Sequence, residues 1–343
     1  MDDASAQPAL AIVVPAWNAA RQLEQTLPAM IKAAGGSRVL VVDAGSTDDT
    51  SEVAERFGAD VLRLPERQGP AGARNAGTAI CDQEVVLFID ADCLPQDDVA
   101  GRVREAFAAT PDLVSVTGSY DEEPHDRGFF SLYMNLRHHH VHQGARREKA
   151  TFWAGCGAVR RSAFEAAGGF DARRYPRPMI EDIELGTRLA PLGRMQLDPE
   201  LQVKHLKRWT LGSVVRTDIV CRAIPWTRVI MEQGQAPDDL NLKLSQRVLA
   251  ALAPFALLGL AASPALAVLS WVWALLSLVP LALAMALGSD LLGFFRRREG
   301  SWFALRAFLF HLVHLVYSAV TYVLVALAWK LGRRDNHHAE TSA

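Results

Sequence analysis

The chain is 343 residues long, half of them hydrophobic, with a formal net charge of -2. That length exceeds one average domain, so a core domain plus a second region is expected. The near-neutral balance argues against a nucleic-acid partner, which demands a clear Lys/Arg excess.

Cys81, Cys93, Cys156 and Cys221 show neither CxxC pairing nor zinc-like spacing, and read as free thiols in a reducing compartment. The Met-Asp-Asp start has no basic n-region and the first apolar run is short. No cleaved signal peptide is therefore expected, and the front domain is expected in the cytoplasm.

Along the chain, 10–15 is a short apolar strand and 22–34 a periodic helix. A β-branched strand over 38–42 ends in the turn-forming Ala44-Gly45-Ser46-Thr47-Asp48, followed by a helix over 50–57 and a strand over 60–64. A helix over 71–79 leads to 84–89, the most apolar strand of the region. Short strands separated by helices of about ten residues imply βαβ units and a mostly parallel sheet flanked by helices, an α/β fold. Ligands on such sheets collect at the carboxyl ends of strands, where the polar groups at 15–18, 43–48 and 90–92 fall. Residues 118–235 are less regular, with Gly-rich turns and many aromatic and basic side chains.

Residues 248–289 contain no charged side chain, about twice the ~20 residues that one membrane span requires. Ser263-Pro264 is the expected hairpin turn between two spans, and 307–329 is another uncharged stretch of spanning length, giving two to three spans within 247–330. Lys243, Arg247 and Arg296-Arg297-Arg298 favour the cytoplasmic side. A third crossing would then put Lys330, Arg333 and Arg334 outside, so either that segment is re-entrant or the tail departs from the rule. The stretch 211–231 mixes Val214, Val215, Ile219, Ile224 and Ile230 with Arg216, Arg222 and Arg228. It reads as an interfacial helix on an anionic leaflet, or as a soluble helix packed on the core.

The chemistry centres on Asp90-Ala91-Asp92. In continued extended structure the alternation of strand side chains points both carboxylates to one side, where they can share a cation. Hard divalent ions take carboxylate oxygens and share them with substrate phosphates, and a diphosphate leaving group needs such a charge partner. Two aspartates can also merely cap a turn. Asp43 ends another strand, where an acceptor could take a base N–H or a ribose hydroxyl. Val14-Pro15-Ala16-Trp17-Asn18 ends the first strand in a rigid turn with a polar tip, and Arg74 offers a cation near the same edge.

Taken in order, Val-Pro-Ala-Trp-Asn, Val-Asp-Ala-Gly-Ser-Thr-Asp, Gly72-Ala73-Arg74-Asn75-Ala76-Gly77 and Leu87-Phe88-Ile89-Asp90-Ala91-Asp92 resemble the inverting nucleotide-sugar glycosyltransferases of family 2, with the GT-A fold. Gly155-Cys156-Gly157-Ala158-Val159-Arg160-Arg161, Gly168-Gly169-Phe170-Asp171 and Ile180-Glu181-Asp182 extend the resemblance over about 9–230. It implies a nucleotide-sugar-binding half over 9–117, an acceptor-binding half over 118–235, and a Mg2+ or Mn2+ requirement. Ala44 departs from the pattern, where relatives more often carry a second acid.

On this resemblance Pro15, Asn18, Asp43, Arg74 and Asp90 serve the nucleotide, and Asp92 with Asp90 serves the metal. Asp182 is the expected base, supported by Glu181, although two acids can equally stabilise a helix N-terminus. His205 stands where some members place a third metal ligand, and imidazole suits Mn2+. Processive relatives carry Gln-x-x-Arg-Trp there; this chain keeps Arg208-Trp209 with His205 in place of Gln, which speaks against polymer synthesis. Trp153, Arg208 and Trp209 are expected at the acceptor. His138-His139-His140 with His142 lacks an acidic or Cys partner at metal spacing and reads as a polar helix or loop face.

The expected protein is thus a multi-pass cell-membrane glycosyltransferase with a cytoplasmic catalytic domain, moving a sugar, from a UDP-sugar foremost, to a hydroxyl of a lipid or membrane-bound acceptor. A polyprenyl-phosphate acceptor and a non-catalytic membrane scaffold remain as alternatives. The absence of a GxGxxG turn after the first strand and of a P-loop Lys speaks against a dinucleotide oxidoreductase or nucleotidyltransferase.

Overall fold

A computed structural model of the chain describes residues 7–145, 147, 148, 151–234 and 243–340, with side chains as far as Leu331. It divides into two compact units, Met1–Arg208 and Trp209–Ala343.

The first unit is built on an eight-stranded sheet in the order β3-β2-β1-β4-β7-β6-β8-β5. The strands are β1 (Leu10–Ala16), β2 (Arg38–Asp43), β3 (Asp60–Arg63), β4 (Val85–Ile89), β5 (Cys93–Pro95), β6 (Leu113–Tyr120), β7 (Cys156–Arg160) and β8 (Arg194–His205). The first four are parallel neighbours, connected through the helices α1 (Ala20–Ala33), α2 (Thr50–Arg56) and α3 (Pro70–Ala79). Beyond β4 the sheet is mixed: β7 runs antiparallel to β4 and β6, β8 parallel to β6, and β5 antiparallel to β8. Between β1 and β4 the strand order reverses, which opens a crevice at the carboxyl ends.

Strand alternation explains why β1, β2 and β4 are apolar throughout. Ile12, Val14, Val39, Val41, Leu87 and Ile89 point into one core. Val13, Leu40, Val42, Val86 and Phe88 point into the other, with Phe152, Phe164 and Phe170. Both faces of these strands are covered, so a near-continuous apolar run is required. Phe88 is fully buried, its ring 5.5 Å from Phe170 and 5.8 Å from Phe164. Pro15 is tolerated in a central strand because pairing with β4 ends at Val13, whereas pairing with β2 continues to Ala16.

The remaining helices of this unit are α4 (Val99–Ala109), α5 (Phe129–Gln143), α6 (Arg161–Ala166) and α7 (Glu181–Leu189). The histidine run lies on α5, but its face is not simply polar. His139 is buried with Nδ1 2.8 Å from the Tyr120 carbonyl, His138 stacks on Tyr120, and His142 meets Trp153 edge-on.

The second unit is helical. Thr210 caps α8 (Leu211–Arg216) through a reciprocal bond with Ser213; a π-helical segment, Thr217–Ala223, and α9 (Ile224–Gln233) follow. Among the described residues two helices are long and apolar enough to cross a membrane: α10 (Leu244–Leu269) and the stretch Ser289–Leu331 of α13 (Ser289–Glu340). Gly300, at φ 82°, breaks the helical path inside α13. Between them lie the short apolar helices α11 (Trp271–Ser277) and α12 (Val279–Leu287).

The hairpin turn expected at Ser263-Pro264 is not there. Helix α10 runs through both Pro254 and Pro264 and ends at Ser270, in extended backbone. Proline removes the N–H that would reach the carbonyl four residues earlier, and Ser263 Oγ donates to that carbonyl, Leu260 O, at 3.0 Å. A serine that re-satisfies the freed group lets an apolar helix continue. Past the turn, α10 and α11 approach closely at Gly259, where a Cβ would stand 1.9 Å from Ser277 O. The unit also buries a polar cluster: Asp218 Oδ2 accepts from Tyr317 Oη at 2.6 Å and lies 2.9 Å from His314 Nδ1. The side chains of Arg333 and Arg334 lie outside the described residues.

Candidate active site

Strand β4 ends at Ile89 and the chain turns at once, Cys93 N donating to Asp90 O at 2.9 Å before β5 begins. The extended continuation expected for Asp90-Ala91-Asp92 is therefore replaced by a tight turn. Three contacts fix it: Thr26 Oγ1 donates to Ala91 O at 2.9 Å, Leu206 N to Asp92 O at 2.9 Å, and Asp90 N to Gly155 O at 3.4 Å. The turn still unites the carboxylates: ligand atoms of Asp90, Asp92 and Cys93 all lie within 4.8 Å of one another.

Asp90 follows Phe88 by two residues and so belongs to the face where α3 and α7 lie. There Arg74, fully charged and buried, donates from Nη2 to Asp90 Oδ1 at 2.6 Å and from Nη1 to Glu181 Oε1 at 3.1 Å. Burial opposes the Arg74 charge, and the two carboxylates more than restore it. Glu181 is held again by Met179 N at 2.8 Å on Oε2. Burial raises the Asp90 carboxyl, helped by Asp92 and opposed by Arg74. Arg74 thus ties the turn to the N-terminus of α7. Its neighbour Asn75 clamps the Gly-Gly-Phe loop, donating to Phe170 O at 2.8 Å and accepting from Phe170 N at 2.9 Å. Gly169 has φ +67°, and a Cβ there would meet Asn75 Oδ1 at 2.8 Å, so glycine is required.

Asp182 is partly exposed at the start of α7. Its Oδ2 accepts from Ala154 N at 3.2 Å and its Oδ1 from Ile183 N at 2.8 Å. Burial, then the adjacent Glu181, push its carboxyl up from 3.8 to about 7, against the pull of Arg74. The adjacent residues Ala154 and Gly155 thus hold the Asp182 side chain and the Asp90 backbone. Gly155 cannot be larger, because the Trp153 indole folds back to 2.4 Å from where its Cβ would stand. Trp153 packs edge-on against Tyr120 at 4.8 Å.

On the other side of the turn, His205 closes β8 and is buried. Its Nε2 lies 3.4 Å from Asp92 Oδ2, its Nδ1 3.0 Å from Asn135 Oδ1, and its ring stacks on Tyr120 at 4.5 Å. Burial alone would raise Asp92; His205 and Lys207 reverse that and hold its carboxylate below the ordinary range. The two carboxylates suit Mg2+ or Mn2+, and the imidazole of His205, beside Asp92 alone, would suit Mn2+ as a further donor. With Nδ1–H given to Asn135, Nε2 faces the Asp92 carboxylate: protonated it donates to Asp92, and in the neutral ring it offers a lone pair that a shared cation can take. Cys93 lies in the same cluster, but its soft sulfur is a poor partner for a hard ion such as Mg2+ or Mn2+.

The polar groups at the β1 and β2 ends serve the backbone. Asp43 is buried, accepting from Ser46 N at 2.8 Å on Oδ1 and from Ser51 Oγ on Oδ2. Burial would raise it, but those hydrogen bonds hold its carboxyl below the usual range. Asn18, in the left-handed region at φ 47°, accepts from Thr47 N at 2.8 Å and its own N–H donates to Ser46 Oγ at 2.8 Å. Together they join the two strand-end loops, and the exposed Trp17 carries the Arg67 guanidinium 3.6 Å from its ring. Arg208 is exposed, 3.8 Å from Asp126. Trp209 is buried and opens the second unit.

The structure thus brings Asp90, Asp92, Arg74, Glu181, Asp182 and His205 into one connected network. Sequence reasoning missed Asn135, Tyr120 and Thr26, which act through that network. Only their positions on α5, β6 and α1 reveal them, since Asn135 sits in an apolar run without any local signal.

Residues 11–168 match the family model described as glycosyl transferase family 2. The chain carries a family 2 glycosyltransferase domain on a GT-A-like α/β fold. It is 29% identical over 212 residues to the pre-mycofactocin glycosyltransferase of Mycobacterium tuberculosis, covering 58% of this chain and 43% of that protein. It is 32% identical over 114 residues to the glycosyltransferase AglE of Haloferax volcanii, covering 31% of this chain and 38% of that one. The matches span less than half of the length of these curated relatives. A mannosyltransferase of Pyrobaculum calidifontis, solved with GDP-Man and Mn2+, shares the fold at TM-score 0.59 and 21% identity, over 93% of this chain and 88% of that one.

Proposed function

We propose that this chain transfers a sugar from a nucleotide-sugar, a UDP-sugar foremost, with inversion, to a hydroxyl of a lipid or membrane-associated acceptor. Asp182 carries the reading. A partly exposed carboxylate raised to about 7 is matched to a general base working near neutral pH. A polyprenyl phosphate is already ionised and would need no such group.

Asp182 takes the proton of the acceptor hydroxyl. The acceptor oxygen bonds to the anomeric carbon from the side opposite the diphosphate, and the carbon–oxygen bond to the diphosphate breaks with its electrons on the leaving oxygen. Asp90, Asp92 and His205 would hold a Mg2+ or Mn2+ ion, which when bound offsets charge on the diphosphate. Arg74 keeps Asp90 oriented and holds Glu181 away from the acceptor. Pro15, Asn18 and Asp43 shape the nucleotide end of the crevice, and Trp153, Arg208 and Trp209 take the acceptor side. Residues 9–117 serve the donor and 118–235 the acceptor, with 211–231 lying at the membrane surface.

The apolar helices support a membrane anchor, with two to three spans in 247–330, and Lys243, Arg247 and Arg296–Arg298 support a cytoplasmic catalytic unit. Membranes containing the protein, given a panel of labelled nucleotide-sugars and then extracted for lipids, test the reading. Label should enter the lipid fraction only with Mg2+ or Mn2+ present. Metal-dependent UDP binding without turnover on any donor would favour a scaffold, and full transfer by a folded Asp182→Asn variant would remove the base.

A further inference from the structure

We infer that Asn135 is a positioning residue that sets the tautomer of His205 and so makes its Nε2 a ligand; this rests on the proposed metal site. Asn135 is 1% exposed on α5, and its Oδ1 lies 3.0 Å from His205 Nδ1. An amide oxygen only accepts, so this contact requires the proton on Nδ1, and in the neutral ring it leaves the lone pair on Nε2. That nitrogen points at Asp92 Oδ2, 3.4 Å away.

The opposite amide orientation would offer N–H to Nδ1, move the ring proton to Nε2, and turn His205 from a ligand into a hydrogen-bond donor to Asp92. The position of one side-chain amide thus selects between two functions of the same imidazole. His139, one turn along α5 from Asn135, is fixed to the Tyr120 carbonyl at 2.8 Å, and the Tyr120 ring stacks on His205 within 11° of parallel. Ring plane and proton position are therefore set by Tyr120 and Asn135, on the adjoining elements β6 and α5. Hydrogen-bond partners on the far nitrogen of a ligating imidazole commonly govern metal affinity by about 10–100-fold.

The test uses the full chain in detergent. Mn2+ binding without donor or acceptor is read by electron paramagnetic resonance, and the ring proton by nitrogen-15 spectra of histidine-labelled protein, with His205 assigned by its loss in His205→Gln. Wild type should carry the proton on Nδ1 when its imidazole is neutral. Asn135→Leu should lose that preference and weaken Mn2+ by about 10–100-fold. Asn135→Asp, whose ionised carboxylate only accepts, should retain both. His205→Gln should weaken Mn2+ alike, with no further loss in the double variant. A wild-type proton on Nε2, or unchanged Mn2+ affinity in Asn135→Leu while His205→Gln loses it, overturns the inference alone. Unchanged affinity in both Asp92→Asn and His205→Gln overturns the metal site and the inference together.

Discussion

Replacing Asp182 by Asn sets two opposed terms against each other. Both carboxylate oxygens accept a backbone N–H, from Ala154 and Ile183. Asparagine has one acceptor oxygen, so its NH2 group faces one of those donors, at a cost of about 1–3 kcal/mol. Against this, an ionised carboxylate raised from 3.8 to about 7 is destabilised by on the order of 4 kcal/mol. The folded protein holds this proton more tightly than the unfolded chain does. Its contribution is therefore complete below about pH 4, falls as pH rises, and is gone above about pH 7. The variant has no such loss. It should be less stable than wild type by about 1–3 kcal/mol near pH 4 and more stable by a similar amount near pH 8. Urea unfolding of both proteins across that range, followed by tryptophan fluorescence, measures the difference. Kinetics should move oppositely: wild-type kcat/KM falls about tenfold per pH unit below about 7, and the variant loses roughly 10²–10⁴ in rate together with that limb. Stability curves that run parallel across the whole range would refute the reasoning.

Arg74→Met should cost about 3–5 kcal/mol, because it strands Glu181 and Asp90 without their buried partner; thermal unfolding checks this, and Arg74→Lys should not restore full stability, since one ammonium cannot span both carboxylates as the fork does. Gly155→Ala drives a methyl into the Trp153 indole and should cost about 1–3 kcal/mol while shifting the tryptophan emission. Asn75→Leu removes both bonds to the Phe170 backbone, and limited proteolysis should then cut within 168–173 faster than in wild type. Gly259→Val cannot be accommodated against the Ser277 carbonyl, so cross-linking between cysteines placed on α10 and α11 should be lost.

Much of the architecture of the first four strands is legible because its rules are local. Apolar runs bounded by turn residues mark β1, β2 and β4, and their boundaries fall within a residue or two of expectation, since burial on both faces leaves little freedom in composition. The order of the motifs sufficed to mark the family 2 domain, and a stretch without charge sufficed to mark candidate spans. Local rules fail where a distant group intervenes. Asp90 and Asp92 were expected in extended backbone; Thr26, Gly155 and Leu206, from three other elements, hold them in a turn instead. Pro264 signals a helix break, yet Ser263 Oγ caps the freed carbonyl and α10 continues. Arg74 offered a free cation by composition, and only packing reveals that it is buried between Asp90 and Glu181. His205 by itself is ambiguous between ligand and packing residue, because an imidazole has two nitrogens and the sequence does not say which carries the proton. That depends on an amide oxygen 70 residues away, brought there by the packing of α5 against β6 and β8. Composition and periodicity determined which segments are strands, helices and candidate spans; long-range hydrogen bonds and buried charge decided what each polar side chain is free to do.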